Sequence, residues 1–252
     1  FDMDERWGGL IIVIMIISML VGSFGGLAEN SIRRVLGYQM LNGMPFILVM
    51  MAFTTHDAQR ALAAGILYTI HHMITVGSLI LASGAIEETY GTGRLNKLSG
   101  LARRDPIIAW IFAAGAFSVV GFPPFSGMWG KVLIVAEIAR TGGGWAWTVI
   151  AVIIIASFAA FLAMLRVWRR VFWGKDLPKE KVPKELVIRK KLMAPSAALI
   201  LGSLTMFILS GPLIEVTMEA SADLLDTDAY SHAVLGDEPV ALPDIDSIQE
   251  GR

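Results

Sequence analysis

Four ionisable side chains lie within otherwise apolar stretches of this sequence: Lys131, Glu137, His71 and His72. Amines, carboxyl groups and imidazoles all exchange protons, and imidazole does so most readily near neutral pH. The two histidines are adjacent, so on a helix they point about 100° apart and cannot converge on a metal ion. No carboxylate lies within a helical turn of them. We therefore expect proton transfer, with no metal, no cofactor and no enzymatic reaction.

Lys131 ends an unusual stretch, residues 121–131, which reads GFPPFSGMWGK. This stretch places helix-breaking residues inside a long apolar region: Gly121, Pro123, Pro124, Gly127 and Gly130. Proline removes a backbone hydrogen bond and clashes with the preceding turn, and glycine adds local freedom. The stretch predicts a discontinuous helix, with one half near 107–120 and a second half from about residue 131. The alternative is a simple proline kink in one helix.

The amine of Lys131 would be costly at the centre of a bilayer, so a functional role is the default interpretation. Burial disfavours a charged amine, and we expect this lysine to take up and release protons. Broken helices at membrane depth are typical of ion and substrate sites in transporters. Glu137, six residues further on, is a candidate exit carboxylate, or it extends to the membrane surface instead. His71 and His72 are candidate relays, or they only form hydrogen bonds between helices.

The composition indicates a membrane protein. The chain has 252 residues, of which 55% are hydrophobic and 17% charged, compared with about 45–50% and about 25% in soluble domains. It contains no cysteine, which excludes disulfides, thiolate metal ligands and a cysteine nucleophile. The apolar residues form six blocks, most of them close to the roughly 20 residues that cross a bilayer core. We predict spans at 8–27, 36–54, 61–85, 107–139, 146–168 and 192–214, the fourth being the discontinuous helix.

Basic residues are concentrated in every second connection between these spans. Loops 28–35, 86–106 and 166–191 carry most of them, and the last has ten basic residues against three acidic ones. After residue 214, ten acidic residues accompany a single basic residue, Arg252. The positive-inside rule therefore predicts that the three basic loops are cytoplasmic and that both ends of the chain are outside.

Two further segments have distinct compositions. In loop 166–191, Trp168, Phe172 and Trp173 alternate with arginines, a pattern typical of an amphipathic interfacial helix and, beside a membrane span, preferred to nucleic-acid binding. From Asp223 onward the chain is acidic and weakly patterned, so we expect an extended or disordered tail. In terms of domains, residues 1–218 form a transmembrane bundle and 219–252 an acidic external tail.

Several of these segments resemble the antiporter-like subunits shared by respiratory complex I and the multisubunit Mrp-type cation/proton antiporters. Residues 31–43, SIRRVLGYQMLNG, are similar to the family's segment with a basic pair and Leu-Ala-Tyr, with Arg33, Arg34 and Tyr38 in register. HHMITVGSLILASG resembles its His-x-x-x-Lys-x-x-Leu-x-Leu-x-x-Gly helix, with His72 in place. GFPPFSGMWGK resembles the broken helix that carries the family's channel lysine or glutamate, here Lys131. Its form, with the YSHAVLG segment, is most similar to the D subunits of Mrp antiporters.

The resemblance covers nearly the whole chain. Family members have fourteen transmembrane helices, and this chain resembles the last six. We therefore expect a C-terminal part of a longer polypeptide, and the first residue, Phe1, agrees with this. Further channel lysines and a paired glutamate would belong to the first half. One position departs from the family, since the lysine expected four residues after His72 is Val76. The proton would pass there through His71, His72 or water.

The resemblance implies a proton-translocating subunit of a multisubunit monovalent cation (Na⁺ or K⁺)/proton antiporter in a bacterial cytoplasmic membrane, with Lys131 as its protonatable channel residue. Its partners would be other subunits of the complex, protons, Na⁺ or K⁺, and the lipid bilayer, without nucleic acid. The alternative is a proton-pumping membrane subunit of an NADH:quinone oxidoreductase-like redox complex, with the electron chemistry in other subunits. An intramembrane amine beside a helix break argues against a passive scaffold.

Overall fold

The computed structural model describes residues 5–175 and 186–236, and the regular elements of these residues are helices. The α-helices are α1 (Glu5–Ala28), α2 (Ile32–Leu48), α3 (Ala58–Tyr90), α4 (Leu101–Arg104), α5 (Pro106–Val120), α6 (Gly127–Thr141), α7 (Gly143–Val167), α8 (Lys190–Ile208), α9 (Ser210–Leu225) and α10 (Thr227–Leu235). A 3₁₀ turn (Val49–Phe53) extends α2, and a π-helical turn (Trp168–Phe172) extends α7. The predicted all-α fold class is confirmed.

Within the described residues, five helical segments are long and apolar enough to cross a bilayer: Trp7–Ala28, Ile32–Phe53, Ala58–Tyr90, Gly143–Phe172 and Lys190–Ile208. They correspond to five of the six predicted spans. The fourth predicted span, 107–139, consists instead of the shorter helices α5 and α6, separated by residues 121–126. The predicted interruption is therefore present, and a single kinked helix is not, but the second half begins at Gly127 rather than near residue 131. The total of six crossings stays a prediction.

Helix α3, which carries both histidines, is the central helix of the bundle. It contacts α2, α5, α6, α8 and α9. It is 33 residues long, and so longer than the predicted 61–85, because both ends are capped. The Asp57 carboxylate accepts the Arg60 backbone N–H at 3.0 Å, and Gly91, with φ of 67°, donates its N–H to the Glu87 carbonyl at 2.8 Å.

The last predicted span, 192–214, is wrong at its end. Helix α8 stops at Ile208, and Leu209 leaves the helical conformation (φ −94°, ψ 29°) before α9 begins. Pro212 explains this break. Inside a continuous helix it would remove a hydrogen bond and clash with the preceding turn, whereas in the first turn of a new helix its missing N–H needs no partner.

The tail also differs from the prediction. Residues from Asp223 onward were expected to be extended or disordered, but α9 continues to Leu225 and α10 follows it. The Asp226 carboxylate caps α10 by accepting the Ala229 backbone N–H at 2.9 Å. Residues 237–252 lie outside the described part of the chain, and the domain boundary at 219 stays a prediction.

The aromatic residues of loop 166–191 differ in exposure: Phe172 packs inward, Trp168 is half-buried and Trp173 is 55% exposed. The predicted interfacial position of this segment stays a prediction. Phe172 is only 1% exposed. Its ring centroid lies 5.0 Å from that of Phe112 and 4.8 Å from that of Trp168. Burying large aromatic surfaces against each other stabilises the bundle more than exposing them would. Residues 176–185 lie outside the described residues.

The three basic loops meet at one end of the bundle, which we call the basic end. Ser31, before α2, and Arg94, after α3, form an antiparallel β-bridge. Arg166, at the end of α7, donates a hydrogen bond of 2.9 Å to Asn30 Oδ1. Loops that the charge pattern groups together are therefore together in space.

Candidate functional site

A glycine cap ends α5 at the break. Gly121 has a φ of 100°, which favours glycine, and its N–H donates to the Ser118 carbonyl at 3.1 Å. The Phe122 N–H donates to the Phe117 carbonyl at 2.9 Å. This pair of bonds is a Schellman motif, which satisfies carbonyls at a helix C-terminus. The two prolines follow in an exposed turn before α6: Pro123 and Pro124.

The other two glycines of the stretch allow close packing rather than unusual backbone angles. A Cβ atom at Gly127 would lie 2.0 Å from the Ser118 carbonyl oxygen and 2.9 Å from His71 Cε1. A Cβ atom at Gly130 would lie 2.8 Å from Tyr68 Cδ2. The prediction that these glycines add conformational freedom is therefore wrong. They bring the start of α6 against α5 and α3.

Lys131 lies one turn inside α6 and reaches back to the end of α5. Its Nζ donates hydrogen bonds to the Val120 carbonyl oxygen at 2.8 Å and to Ser157 Oγ, on α7, at 3.0 Å. It also lies 5.4 Å from the centroid of the Phe46 ring, a cation–π arrangement. The carbonyls at the C-terminus of α5 carry partial negative charge and attract the ammonium group. The ammonium group of Lys131 is thus attracted to the carbonyl end of α5.

His71 belongs to a closed ring of hydrogen bonds with four hydroxyl groups, which we call the hydroxyl ring. His71 Nδ1 lies 2.7 Å from Ser126 Oγ and 3.3 Å from Thr75 Oγ1. Ser203 Oγ lies 2.8 Å from both Ser126 Oγ and Ser118 Oγ. Ser118 Oγ lies 3.0 Å from Thr75 Oγ1. All five side chains are buried, and they join α3, α5, α8 and the break.

His72 points to a different side of α3 and packs against α2. A Cβ atom at Gly43 would lie 1.9 Å from His72 Cε1, so the imidazole occupies the space that any other residue at 43 would need. The ring stacks on Tyr68 with centroids 5.9 Å apart, and Tyr68 stacks on Phe46 at 5.3 Å. Aromatic rings therefore lie between His72 and Lys131, and the structure brings neither histidine into hydrogen-bond contact with the lysine.

Glu137 is only 9% exposed and does not extend alone to the membrane surface. Its Oε1 accepts a hydrogen bond from Arg140 Nη1 at 2.9 Å. Both side chains line a pocket of about 280 Å³ between α3, α6 and α9 that also includes Arg60 and Thr217. Glu137 is thus an ion-paired carboxylate in a pocket, about two turns beyond Lys131 on α6.

The basic pair and the tyrosine of the family segment lie away from this site. Arg33 forms an ion pair with Glu87, and Arg34 lies 3.5 Å from the Glu29 carboxylate. The Tyr38 ring packs where a side chain at Gly25 would be, with its Cε1 2.3 Å from the position of that Cβ. These contacts tie α2 to its neighbours. In this chain the family segment therefore contributes packing and ion pairing.

Sequence analysis missed most of the polar residues of the site. Thr75, Ser118 and Ser203 each lie in an apolar helix, where a hydroxyl group more often bonds to its own backbone. One signal was present, since Thr75 follows His71 by four residues and shares its helix face. Val76, where the resemblance implies a lysine, is 2% exposed and belongs to an apolar cluster rather than to the ring.

Comparisons with known sequences agree with this architecture. A profile of the NADH:quinone oxidoreductase/Mrp antiporter transmembrane family matches residues 1–162. The D subunit of the Na⁺/H⁺ antiporter of Bacillus subtilis is 30% identical over 229 residues, which cover 90% of this chain and 44% of that protein. The N subunit of the NADH-quinone oxidoreductase of Acidithiobacillus ferrooxidans is 27% identical over 218 residues, or 85% of this chain and 43% of that protein. The chain thus spans less than half the length of these relatives.

Solved structures of related complexes contain chains with the same fold. A chain of the Mrp complex from Dietzia sp. superposes with a TM-score of 0.81 at 30% identity, covering 92% of this chain and 50% of that one. A chain of respiratory complex I from Thermus thermophilus, at 22% identity and a TM-score of 0.73, shares the fold over 87% of this chain and 45% of that one. Since the family profile matches 162 of its 252 residues, the chain belongs to the NADH:quinone oxidoreductase/Mrp antiporter transmembrane family.

Proposed function

We propose that the chain is part of a proton-translocating subunit of a multisubunit monovalent cation (Na⁺ or K⁺)/proton antiporter. Lys131 is its protonatable channel residue. The observation that carries the proposal is the position of the Lys131 amine, which bridges the carbonyl end of α5 and Ser157 of α7 at the helix break. The similarity to the D subunits of Na⁺/H⁺ antiporters supports the choice of exchanged ions.

The charge of Lys131 affects the packing of three helices, because its amine contacts both α5 and α7. An ammonium group has three hydrogens to donate, and two of its acceptors are the Val120 carbonyl oxygen and Ser157 Oγ. Loss of a proton removes the attraction between the ammonium group and the C-terminal dipole of α5. Protonation of Lys131 therefore holds α5, α6 and α7 together, and deprotonation loosens the contact. A cation elsewhere in the complex would couple to this step through charge repulsion.

The hydroxyl ring supplies a path for protons on the other side of the break. If His71 Nδ1 is an acceptor, the four hydroxyl groups can donate in one direction, from Thr75 through Ser118, Ser203 and Ser126 to the imidazole. If Nδ1 carries the hydrogen, it can donate to Ser126, and the three serines can donate onward in the opposite direction as far as Thr75. The hydroxyl groups can thus reorient together, and a proton relay through His71 would use this reorientation.

The likeness to multisubunit assemblies supports other subunits as partners, and the exposed apolar side chains of α1 and α7 suit contact with lipid or with such subunits. The positive-inside rule supports a cytoplasmic basic end in a bacterial cytoplasmic membrane, with both ends of this chain outside. Glu137, with its pocket near the opposite end from the basic loops, is the proposed exit carboxylate.

A second candidate function is the proton-pumping membrane subunit of an NADH:quinone oxidoreductase-like complex. The similarity to the N subunit of such an enzyme favours it. In that case proton movement would follow electron transfer in other subunits, and adding Na⁺ or K⁺ would not drive it. The two functions are distinguished by whether a cation gradient alone moves protons through the purified complex in liposomes.

The test of the main proposal uses the full-length subunit in its assembled complex. Everted membrane vesicles are energised to form a pH gradient, and the dissipation of this gradient on addition of Na⁺ or K⁺ is measured. Lys131→Ala is expected to abolish cation-dependent dissipation while a blue-native gel shows an intact complex. Normal exchange in the alanine variant would refute the proposal.

A further inference from the structure

Two amide side chains of α2 are buried, and three of their four polar atoms lack a hydrogen-bond partner among the described residues. Gln39 is 1% exposed and Asn42 is 4% exposed. Gln39 Nε2, Gln39 Oε1 and Asn42 Oδ1 find no hydrogen-bond partner among the residues that the structure describes. His72 Nε2, in the same region, also lacks a partner among these residues. Buried polar groups in proteins are nearly always hydrogen-bonded, so this cluster needs an explanation.

The cluster lies between α1, α2 and α3. Gln39, Asn42 and Gly43 share one face of α2, because residues three and four apart on a helix are neighbours. Gly43 is the residue against which the His72 ring packs. On the side of α1, a Cβ atom at Gly22 would lie 2.5 Å from the Asn42 backbone nitrogen. Gln39 Nε2 lies 3.7 Å from the position of a Cβ atom at Gly26, also on α1. Gln39, one turn before Gly43, is thus nearer than Gly43 to the basic end, where α2 begins.

Packing alone does not account for these residues. An amide group that is buried with no partner destabilises a protein, whereas an apolar side chain of the same shape does not. Water is the partner that matches the chemistry of the cluster, because each water molecule both donates and accepts and needs two to four polar neighbours. The unpaired atoms offer water one amide donor, two amide acceptors and an imidazole nitrogen. A bare cation fits less well, because among the described residues no carboxylate belongs to the cluster to balance its charge.

We propose that Gln39, Asn42 and His72 enclose an internal water-binding site that carries protons to His72 from the side of the basic end. This site rests on the proposed function, since it supplies protons to the same transport step. It differs from the hydroxyl ring, because it lies on the α1 and α2 side of α3. His72 does not contact Lys131, and under this proposal it receives protons from the bound water instead.

The first test is a cryo-EM map of the full-length complex at a resolution that shows ordered water. Density is expected within hydrogen-bond distance, about 2.7–3.2 Å, of the Gln39 or Asn42 side chain. A well-resolved map with no such density at either amide would overturn the proposal. This readout does not depend on transport, and it does not require any variant to fold.

The second test compares apolar and polar substitutions in the assembled complex. Gln39→Met and Asn42→Leu keep the approximate shape but remove the water ligands. Each is expected to slow exchange by about tenfold, as the loss of one hydrogen bond implies, with no loss of assembly. Gln39→Asn keeps an amide group and should retain more activity than Gln39→Met. Met44→Leu, on an exposed part of α2, is the matched control and should exchange normally.

Measuring Lys131→Ala in parallel separates the two proposals. If this variant is inactive while Gln39→Met and Asn42→Leu exchange at the normal rate, the water-binding site is wrong and the proposed function stands. If Lys131→Ala is fully active, the proposed function fails, and the map alone then decides whether the amides bind water.

Discussion

Lys131 Nζ donates a hydrogen bond of 2.8 Å to the carbonyl oxygen of Val120, the last residue of α5. The two halves of the broken helix are therefore joined by a side chain of the second half and the free carbonyl end of the first. A free helix C-terminus attracts positive charge, so the bond is strongest when the amine is protonated. The Lys131 amine, which is proposed to carry the proton, therefore also joins the two halves of the broken helix.

Replacement of Lys131 by arginine separates a mobile proton from a fixed charge. Lys131→Arg keeps the positive charge beside Val120 but does not release a proton in the usable range of pH, so exchange should be lost. Lys131→Glu is expected to keep partial activity, because a protonated carboxyl group can still donate to the Val120 carbonyl. Both variants are measured as cation-dependent dissipation of the pH gradient. Full activity of the arginine variant would mean that Lys131 is only a fixed charge.

The hydroxyl ring predicts that serine residues far apart in sequence affect transport together. Ser126→Ala and Ser118→Ala each remove two links of the ring, and each should slow exchange by about tenfold or more. The control is Ser78→Ala, which removes a buried hydroxyl group between the same helices α3 and α8, where Ser78 and Ser196 are 3.0 Å apart outside the ring. Equal effects at Ser78 and Ser126 would indicate a packing role for both.

The two histidines should differ in their coupling to other residues. His71→Ala combined with Ser126→Ala should be no worse than either change alone, because each interrupts the same ring. His72→Ala combined with Ser126→Ala should be additive in the activation free energy of exchange, since His72 lies outside the ring. The measurement is a double-mutant cycle on initial rates. Additivity in both pairs would exclude relay through His71 and Ser126 as a unit.

Gly43 and Gly37 form a matched pair on α2. Gly43→Ala would place its Cβ 1.9 Å from His72 Cε1, and such overpacking typically costs about 1–3 kcal/mol. Gly37 has no atom within 4 Å of its Cβ position, so Gly37→Ala should stabilise α2 by about 0.5–1 kcal/mol. Thermal unfolding of the detergent-purified complex is expected to shift down for the first and up, or not at all, for the second. A midpoint for Gly43→Ala at or above the wild-type value would contradict the close packing of His72.

The orientation of the bundle can be tested with single cysteines, because this chain has none of its own. Lys97 lies in an exposed loop at the basic end, and Asp228 is exposed on α10. Lys97→Cys should be protected from an impermeant thiol reagent added to intact cells, while Asp228→Cys should react. The reverse pattern would place the basic end outside.

Apolar runs and the helix-breaking residues were sufficient to predict the all-helical class, five long helices and an interruption after residue 120. These features depend on local runs of residues, which a single sequence contains. The predicted second half, from about residue 131, begins at Gly127 in the structure. The end of α8 was also predictable in principle, since Pro212 is an evident stop signal, but the apolar residues around it outweighed it. Helix α10 was missed because the acidic composition of this region was interpreted as disorder, although Asp226 provides a helix cap.

The hydroxyl ring could not be predicted from the sequence, for a different reason. Ser118 and Ser203 are 85 residues apart in the sequence and come together only when α5 and α8 pack. A serine in an apolar helix has the same local pattern whether it bonds to its own backbone or to another helix. The close packing of His72 against Gly43 likewise depends on how α2 packs on α3.

The hydroxyl ring has five contacts between neighbouring polar atoms, but too few usable hydrogens to make all five of them hydrogen bonds at once. With neutral His71 in either tautomer, only four links can be filled at once, because the four hydroxyl groups supply one hydrogen each and a protonated Nδ1 cannot accept. Clockwise and anticlockwise arrangements are then equivalent in bond count and share the same heavy-atom positions. The state of the ring would therefore be invisible in an ordinary density map, where hydrogens are not seen. It should instead appear in kinetics, as a solvent deuterium isotope effect that Ser126→Ala reduces.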